Sequence, residues 1–242
     1  MPTDQIPSKH LASPIDVSPF TVTPIGIIHS CFKEKFATPR QPGLVPAALA
    51  QIKLHAPYNQ ADTVAGLEEF SHIWLSFIFH HTAGQGWKPK VRPPRLGGNK
   101  KMGVFATRST FRPNPLGLSL VKLESIDTSN GVTLHVSGAD LIDQTPILDI
   151  KPYLPWVESI AHAKSGFASD DQTLQLPIYY SAQAQSALSE RPALKELIEQ
   201  VLHHDPRPAY QQDPERIYGC NIADINLRWQ VELDHIQVVE IS

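Results

Sequence analysis

Between residue 20 and about residue 158 the apolar residues come only in short runs. The longest, 73–79, is interrupted by Ser76. Runs of this length, separated by Gly, Pro, Asn and Asp, suit single strands and cannot form long buried helices. Residues 22–29 read as a first strand. Residues 73–79, rich in aromatic and β-branched side chains, read as a buried strand preceded by a short helix around 63–70. Residues 103–107 and 117–126 read as strands flanking a Pro-rich turn, and 147–151 as another short strand. Val132, Leu134 and Val136 alternate with polar neighbours, which predicts a strand with one wet face. Many short strands joined by turn chemistry predict a closed or nearly closed β-barrel over 20–160. Residues 1–19, with Pro2, Pro7, Pro14 and Pro19 and little apolar content, read as an extended or disordered tail.

Composition shifts near 165–171. Beyond it, residues 193–204 carry the clearest helical period, with Leu194, Leu197, Ile198, Val201 and Leu202 on one face. Pro192 suits the first turn, and Pro206 stops the helix. Ile225, Leu227, Trp229 and Val231 alternate with polar residues, and 236–241 offers a hairpin partner. The expectation is a mainly β chain with an α+β appendage: a β-barrel plus a small C-terminal α+β domain over 170–242. No apolar run is long enough to span a bilayer, and no signal or lipidation pattern is visible. Cys31 and Cys220 have no metal-like spacing. They read as free thiols in a reducing compartment, so a cytoplasmic location is expected.

The formal net charge is −3, but the cations are concentrated. Lys88, Lys90, Arg92, Arg95, Lys100, Lys101, Arg108, Arg112 and Lys122 lie in a span that holds no Asp or Glu. A basic stretch on an otherwise acidic chain reads as a recognition surface for nucleic acid. Its alternative is a solvated loop.

Phosphate-binding motifs are absent: the glycines between Arg95 and Gly103 have neither dinucleotide-fold nor phosphate-loop spacing. There is no His-Glu-x-x-His and no Cys/His cluster, so no metal is expected. His80 and His81 end the buried strand, where they would emerge at a barrel rim. Pro113 and Pro115 stiffen the loop that presents Arg108, Arg112 and Asn114, and arginine forks suit carboxylates and phosphates. Asp140, Asp143 and Asp149 sit at or between strand ends. There they can receive ribose hydroxyls or an ammonium group, act as a base, or simply bond turn amides.

Several runs resemble the TrmO (TsaA-like or YaeB-like) family of tRNA methyltransferases. They are Lys33-Glu-Lys-Phe-Ala-Thr-Pro-Arg-Gln-Pro-Gly43, Ala56-Pro-Tyr-Asn-Gln-Ala-Asp62, Phe70-Ser-His-Ile-Trp74 and Val91-Arg-Pro-Pro-Arg-Leu-Gly-Gly-Asn99. The long signature over 103–114, Leu148-Asp-Ile-Lys-Pro-Tyr-Leu-Pro155 and Asp205-Pro-Arg-Pro-Ala-Tyr210 complete the match, which covers about 20–242. The resemblance implies a β-barrel that binds S-adenosylmethionine and a homodimeric enzyme. It implies methylation of N6 of N6-threonylcarbamoyladenosine, next to the anticodon in threonine tRNA. By similarity the cofactor would be held by Arg40, Gln41 and Pro42, by His80 and His81, by Arg108, and by residues around Leu118 and Asp140, Leu141, Ile142 and Asp143. The family's Asp-Gly-Thr-Pro stands here as Asp143-Gln-Thr-Pro146.

The lone pair of the target nitrogen is delocalised between a purine ring and a carbonyl, so the reaction needs in-line positioning and a base. Asp143, Asp140 and His81 are the candidate bases. Arg112, Arg108 and Asn114 are placed to meet the threonyl carboxylate or a phosphate, and Arg95, Lys100 and Lys101 to grip the tRNA backbone. Trp87 and Tyr153 are candidates for stacking on splayed anticodon bases. The rival readings are a non-catalytic RNA-binding protein and an S-adenosylmethionine-dependent methyltransferase with another substrate.

Overall fold

The computed structural model describes residue 19 and residues 21–168, 173–207 and 213–242. Apart from Pro19, the proposed N-terminal tail lies outside the described residues.

The barrel is built from β1 (Gly26–Ser30), β2 (Leu49–Leu54), β3 (His72–Ile78), a short ribbon of β4 (Lys90–Val91) and β5 (Met102–Gly103), then β6 (Leu116–Asp127), β7 (Thr133–Ser137) and β8 (Thr145–Pro152). Six of these strands close in the order β1-β2-β7-β6-β3-β8, while β4 and β5 pair only with each other. Every pairing in the barrel is antiparallel. Alternation puts one face of each strand inside. Ile28, Ile52, Ile73, Leu75, Val121, Leu123, Leu134, Val136 and Ile147 fill the interior.

The second unit holds α2 and α3 against a four-stranded sheet; a short α1 (Pro155–Glu158) follows the barrel. Its elements are β9 (Ile178–Tyr180), α2 (Ala182–Leu188), α3 (Pro192–His203), β10 (Tyr218–Ile222), β11 (Ile225–Val231) and β12 (Ile236–Ile241). The sheet order is β10-β11-β12-β9, with β9 parallel to β12. The five apolar residues of the predicted helical face are all buried in α3. The expected hairpin is the antiparallel β11–β12 pair. Ser181 caps α2, its hydroxyl accepting from the Ala184 amide.

Some local expectations are corrected. The helix around 63–70 is two 3-10 turns, Ala61–Val64 and Leu67–Glu69, separated by Gly66 at φ 83°. That left-handed glycine stops helical propagation. The strand expected over 103–107 ends at Gly103 and continues as a 3-10 turn, Val104–Ala106. Only Val104 of this run finds the interior, while Phe105 is 77% exposed. The first strand begins at Gly26 rather than at 22, where Val22 lies in solvent. Strands β2, β9 and β10, helix α2 and the β4–β5 ribbon were not anticipated.

Antiparallel closure gathers the ends of six strands onto one rim. The β1–β2 connection (31–48), the long β3–β6 connection (79–115) and the β7–β8 connection (138–144) all cross it. Near this rim Gly117 of β6 lies opposite Phe77 of β3, and a Cβ at 117 would come within 2.2 Å of the buried Phe77 ring. Gly117→Ala is therefore expected to destabilise the protein by about 1–3 kcal/mol, since overpacking a closed interior forces off-rotamer side chains. Urea unfolding measures this, and Phe77→Leu in the same chain should recover part of the loss. An unchanged urea midpoint would contradict the packing described.

Candidate active site

Of the residues that sequence pattern and resemblance pointed to, all but Lys122, Asp149 and Tyr153 lie on the three connections of this rim, or at Leu118 beside it on β6. The rim backbones approach closely where the Gly43 amide donates to the Gly138 carbonyl at 2.8 Å. Gly138 has φ 71°, and a Cβ there would stand 3.2 Å from the Gly43 Cα. Glycine at 138 meets both the left-handed backbone and the space required.

Asp140 is a carboxyl whose proton affinity the fold raises. Its Oδ1 accepts from the hydroxyl of Ser119, a residue only 1% exposed on the inward face of β6. Burial pushes its carboxyl up to about 6, against the opposing effects of the Ser119 bond, a backbone amide and the charge of Arg108. Arg108 donates to Gln41 Oε1 and its charge acts on Asp140, so Gln41, Arg108, Asp140 and Ser119 meet at the rim from the three connections and β6.

Asp143 is held differently. Its Oδ1 accepts from the Ser30 amide at 2.9 Å, its Oδ2 pairs with Lys33 Nζ at 2.9 Å, and His29 lies 3.9 Å away. Burial would raise this carboxyl, but the Lys33 and Ser30 bonds and the nearby cations outweigh it and hold it below the usual carboxylate range. Such a group is a poor proton acceptor near neutrality. Next to it Gln144 adopts φ 66°, so the glycine-like turn persists with a side chain present. The side chain is not idle: its Nε2 lies 2.9 Å from His29 Nδ1.

His80 and His81 pack edge to face with ring centroids 4.3 Å apart. Burial, then the neighbouring His81, lowers the His80 proton affinity and favours the neutral ring. The Thr145 hydroxyl, which donates to the Ile142 carbonyl at 2.6 Å, lies 3.4 Å from His80 Nδ1. Leu141 is fully enclosed, whereas Leu118 is exposed at the rim. Arg40 turns away from this group: its guanidinium donates to the carbonyls of Asp205 and Arg207 at 3.2 and 3.1 Å. Arg112 folds onto its own loop, donating to the Thr107 carbonyl at 2.8 Å.

Residues Lys88, Lys90, Arg92, Lys100 and Lys101 are exposed on the β3–β6 connection. Asn114 is exposed in the same connection, Arg95 is half-buried, and Lys88 lies over the Phe111 ring. Lys122 is separated from them. It pairs with Glu124 at 2.9 Å and lies opposite His72, six residues along β6 from Leu116, or about 20 Å at strand rise. The basic surface is therefore carried by the connection and not by the whole charged span. Trp87 is exposed, while Tyr153 packs against His72 and Trp74, away from the rim.

The tRNA-methyltransferase O N-terminal domain family model matches residues 27–159, and the TrmO C-terminal domain model matches residues 173–242. This chain belongs to the TrmO family. It is 49% identical over 222 residues to a tRNA (adenine(37)-N6)-methyltransferase of Escherichia coli, covering 89% of this chain and 94% of that protein. A putative S-adenosylmethionine-dependent methyltransferase of Pseudomonas aeruginosa is 46% identical over 229 residues, covering 92% and 97%. A crystal structure of TrmO from P. aeruginosa superposes with a TM-score of 0.79 at 40% identity, covering 94% of this chain and 99% of that one.

For a TrmO-family chain the fold is as expected, a closed barrel with a C-terminal α+β unit. Among the described residues no cluster of three or more His, Cys, Asp and Glu could hold a metal ion, and no helix is long and apolar enough to cross a membrane. Both thiols are free, and burial pushes each up to about 12. Ser119, Thr145 and Lys33 are the rim residues that sequence reasoning missed. Ser119 had a signal: it shares an inward register with Val121 and Leu123, where an isolated hydroxyl needs a partner.

The raised Asp140 carboxyl has a consequence for stability. The folded state prefers the protonated form, so its favourable contribution is complete below the unfolded value near 4 and is lost as pH rises through about 6. Asp140→Asn should therefore melt higher than the parent at pH ~8, with the gap closing at about pH 4. Thermal melts of both proteins across this range check it, and melting curves that stay parallel throughout would contradict the burial of this charge.

Proposed function

We propose that this chain is an S-adenosylmethionine-dependent tRNA methyltransferase. Its target is N6 of N6-threonylcarbamoyladenosine next to the anticodon of threonine tRNA. The observation that carries the reading is family membership along both units, joined to a rim on which a half-buried acid, a guanidinium and apolar side chains converge. In this reading the barrel, 20–160, is the cofactor domain and 170–242 a small α+β domain, and the enzyme works as a cytoplasmic homodimer.

The rim suits the cofactor in its chemistry. The cofactor's amino-acid end is a zwitterion and its sulfonium is a cation. Arg108 offers a fork for the carboxylate, the acidic group around Asp140 favours the cations, and Leu118 and His80 offer apolar and aromatic surface. The backbone of 41–42 and of 140–143 completes the enclosure. Bound there, S-adenosylmethionine would supply a methyl group whose transfer leaves the bonding pair on sulfur and cancels the sulfonium charge.

Asp140 is the group we assign as base. Its carboxylate is raised toward neutrality by burial, so it can accept the N6 proton and still be ionised at working pH. Ser119 holds its other face. Asp143, tied to Lys33 and the Ser30 amide, shapes the turn instead, and His81 is left as the exposed partner of His80. Arg95, Lys100 and Lys101 face the tRNA backbone, with Arg112 and Asn114 in the stiff loop that borders it.

The assay uses threonine tRNA with and without the threonylcarbamoyl group, labelled cofactor and nucleoside mass analysis. Label should enter only the modified nucleoside. Asp140→Asn should lose on the order of a hundredfold or more in turnover, while Asp143→Asn keeps most of it. Labelling of unmodified tRNA at the same rate would overturn the substrate, and full turnover by Asp140→Asn would overturn the base.

A further inference from the structure

The run Asp205-Pro-Arg, singled out by sequence, has so far no role. Its structural setting supplies one. The β1–β2 connection belongs to the barrel by sequence, yet its side chains are not packed in the barrel. Phe32, Ala37, Val45 and Ala48 are buried in the same core as α3 and the second sheet. Phe36 stacks on Trp229 with centroids 5.7 Å apart. The Ala47 amide donates to Gln200 Oε1 at 2.8 Å, the Asn221 amide to Glu34 Oε1 at 2.7 Å, and the Ala223 amide to the Cys31 carbonyl at 2.7 Å. The second unit thus folds the loop whose tip carries Arg40, Gln41 and Pro42.

At that tip, Arg40 bonds both the Asp205 and the Arg207 carbonyls. The turn presenting them is itself braced. Arg207 donates to Asp205 through Nε at 2.7 Å and through its terminal nitrogen at 3.0 Å, and its guanidinium lies 5.9 Å from the Tyr218 ring centroid. The next residue along, Gln41, receives Arg108. A guanidinium already satisfied by two carbonyls serves better as a strut than as a ligand, whereas the neighbouring glutamine faces the rim group.

We propose that Asp205 and Arg207 are positioning residues for the cofactor site: their turn is a two-carbonyl clasp that seats Arg40 and thereby fixes Gln41 against Arg108. The inference rests on the cofactor reading of the rim. It gives the second unit a role in cofactor affinity, apart from any contact with tRNA, and it reassigns Arg40 from cofactor ligand to strut.

The test uses the full chain and three variants. Arg207→Ala removes the brace, Asp205→Asn weakens it with little change of shape, and Arg40→Ala removes the strut. In ligand-free protein, amide exchange at Arg40, Gln41 and Gly43 should accelerate in all three. The calorimetric Kd for S-adenosylmethionine should rise on the order of tenfold, with maximal turnover at saturating cofactor little changed. The double variant Arg40→Ala/Arg207→Ala should bind no more weakly than Arg40→Ala alone, because both act through one contact. Arg207→Lys, which keeps a cation for Asp205, should recover part of the affinity. If Arg207→Ala does not fold, Asp205→Asn carries the same readouts. Unchanged exchange at the loop tip, an unchanged Kd in the folded variants, or additive losses in the double variant would overturn the clasp. A parent protein that binds no S-adenosylmethionine would instead overturn the cofactor reading, and the exchange comparison would still decide the clasp.

Discussion

The structure depends on the closure made by β8, which pairs on one side with β1 and on the other with β3. Without that double pairing the sheet would be open, and the connections after β1, β3 and β7 would leave from a splayed edge. With it, three segments far apart in sequence cross one narrow rim, and their polar groups must satisfy each other there. The pairing of Gln41 with Arg108, and of Ser119 with Asp140, follows from that geometry and not from proximity along the chain.

Burial then separates two aspartates that look alike in sequence. Asp140 and Asp143 occupy the same short connection, but one meets a buried hydroxyl and the other a lysine and a backbone amide. Their proton affinities move in opposite directions. In the proposed reading, environments that push two neighbouring carboxyls apart give the site a base and a scaffold from the same residue type. The second unit contributes by a different route: its core packs the β1–β2 connection, so one rim segment is held from outside the barrel.

Much of this was legible in the sequence where period and chemistry agree. The face of α3, the β11–β12 hairpin, the inward alternation in β7 and the family runs on the rim connections all carry strong local signals. Other elements have none. Strand β2 turns Ala50, Ile52 and a half-buried Leu54 inward, and its outward Leu49, Gln51 and Lys53 leave a short pattern that a loop could equally show. The run after Gly103 is apolar enough for a strand, but β5 ends there because its only partner, β4, is two residues long. The contacts of Arg40 and Arg112 were illegible for a further reason. An arginine fork binds a carboxylate more strongly than a carbonyl but accepts either, and only the fold decides which lies within reach.

Whether the rim crossed by these three connections is the cofactor site is decided by a crystal structure of the protein grown with S-adenosylhomocysteine. Density for the ligand is expected between Gln41, His80, Arg108 and the 140–143 segment, with its carboxylate toward Arg108. Density elsewhere on the protein, or a rim that stays empty at saturating ligand while cofactor binds in solution, would contradict it.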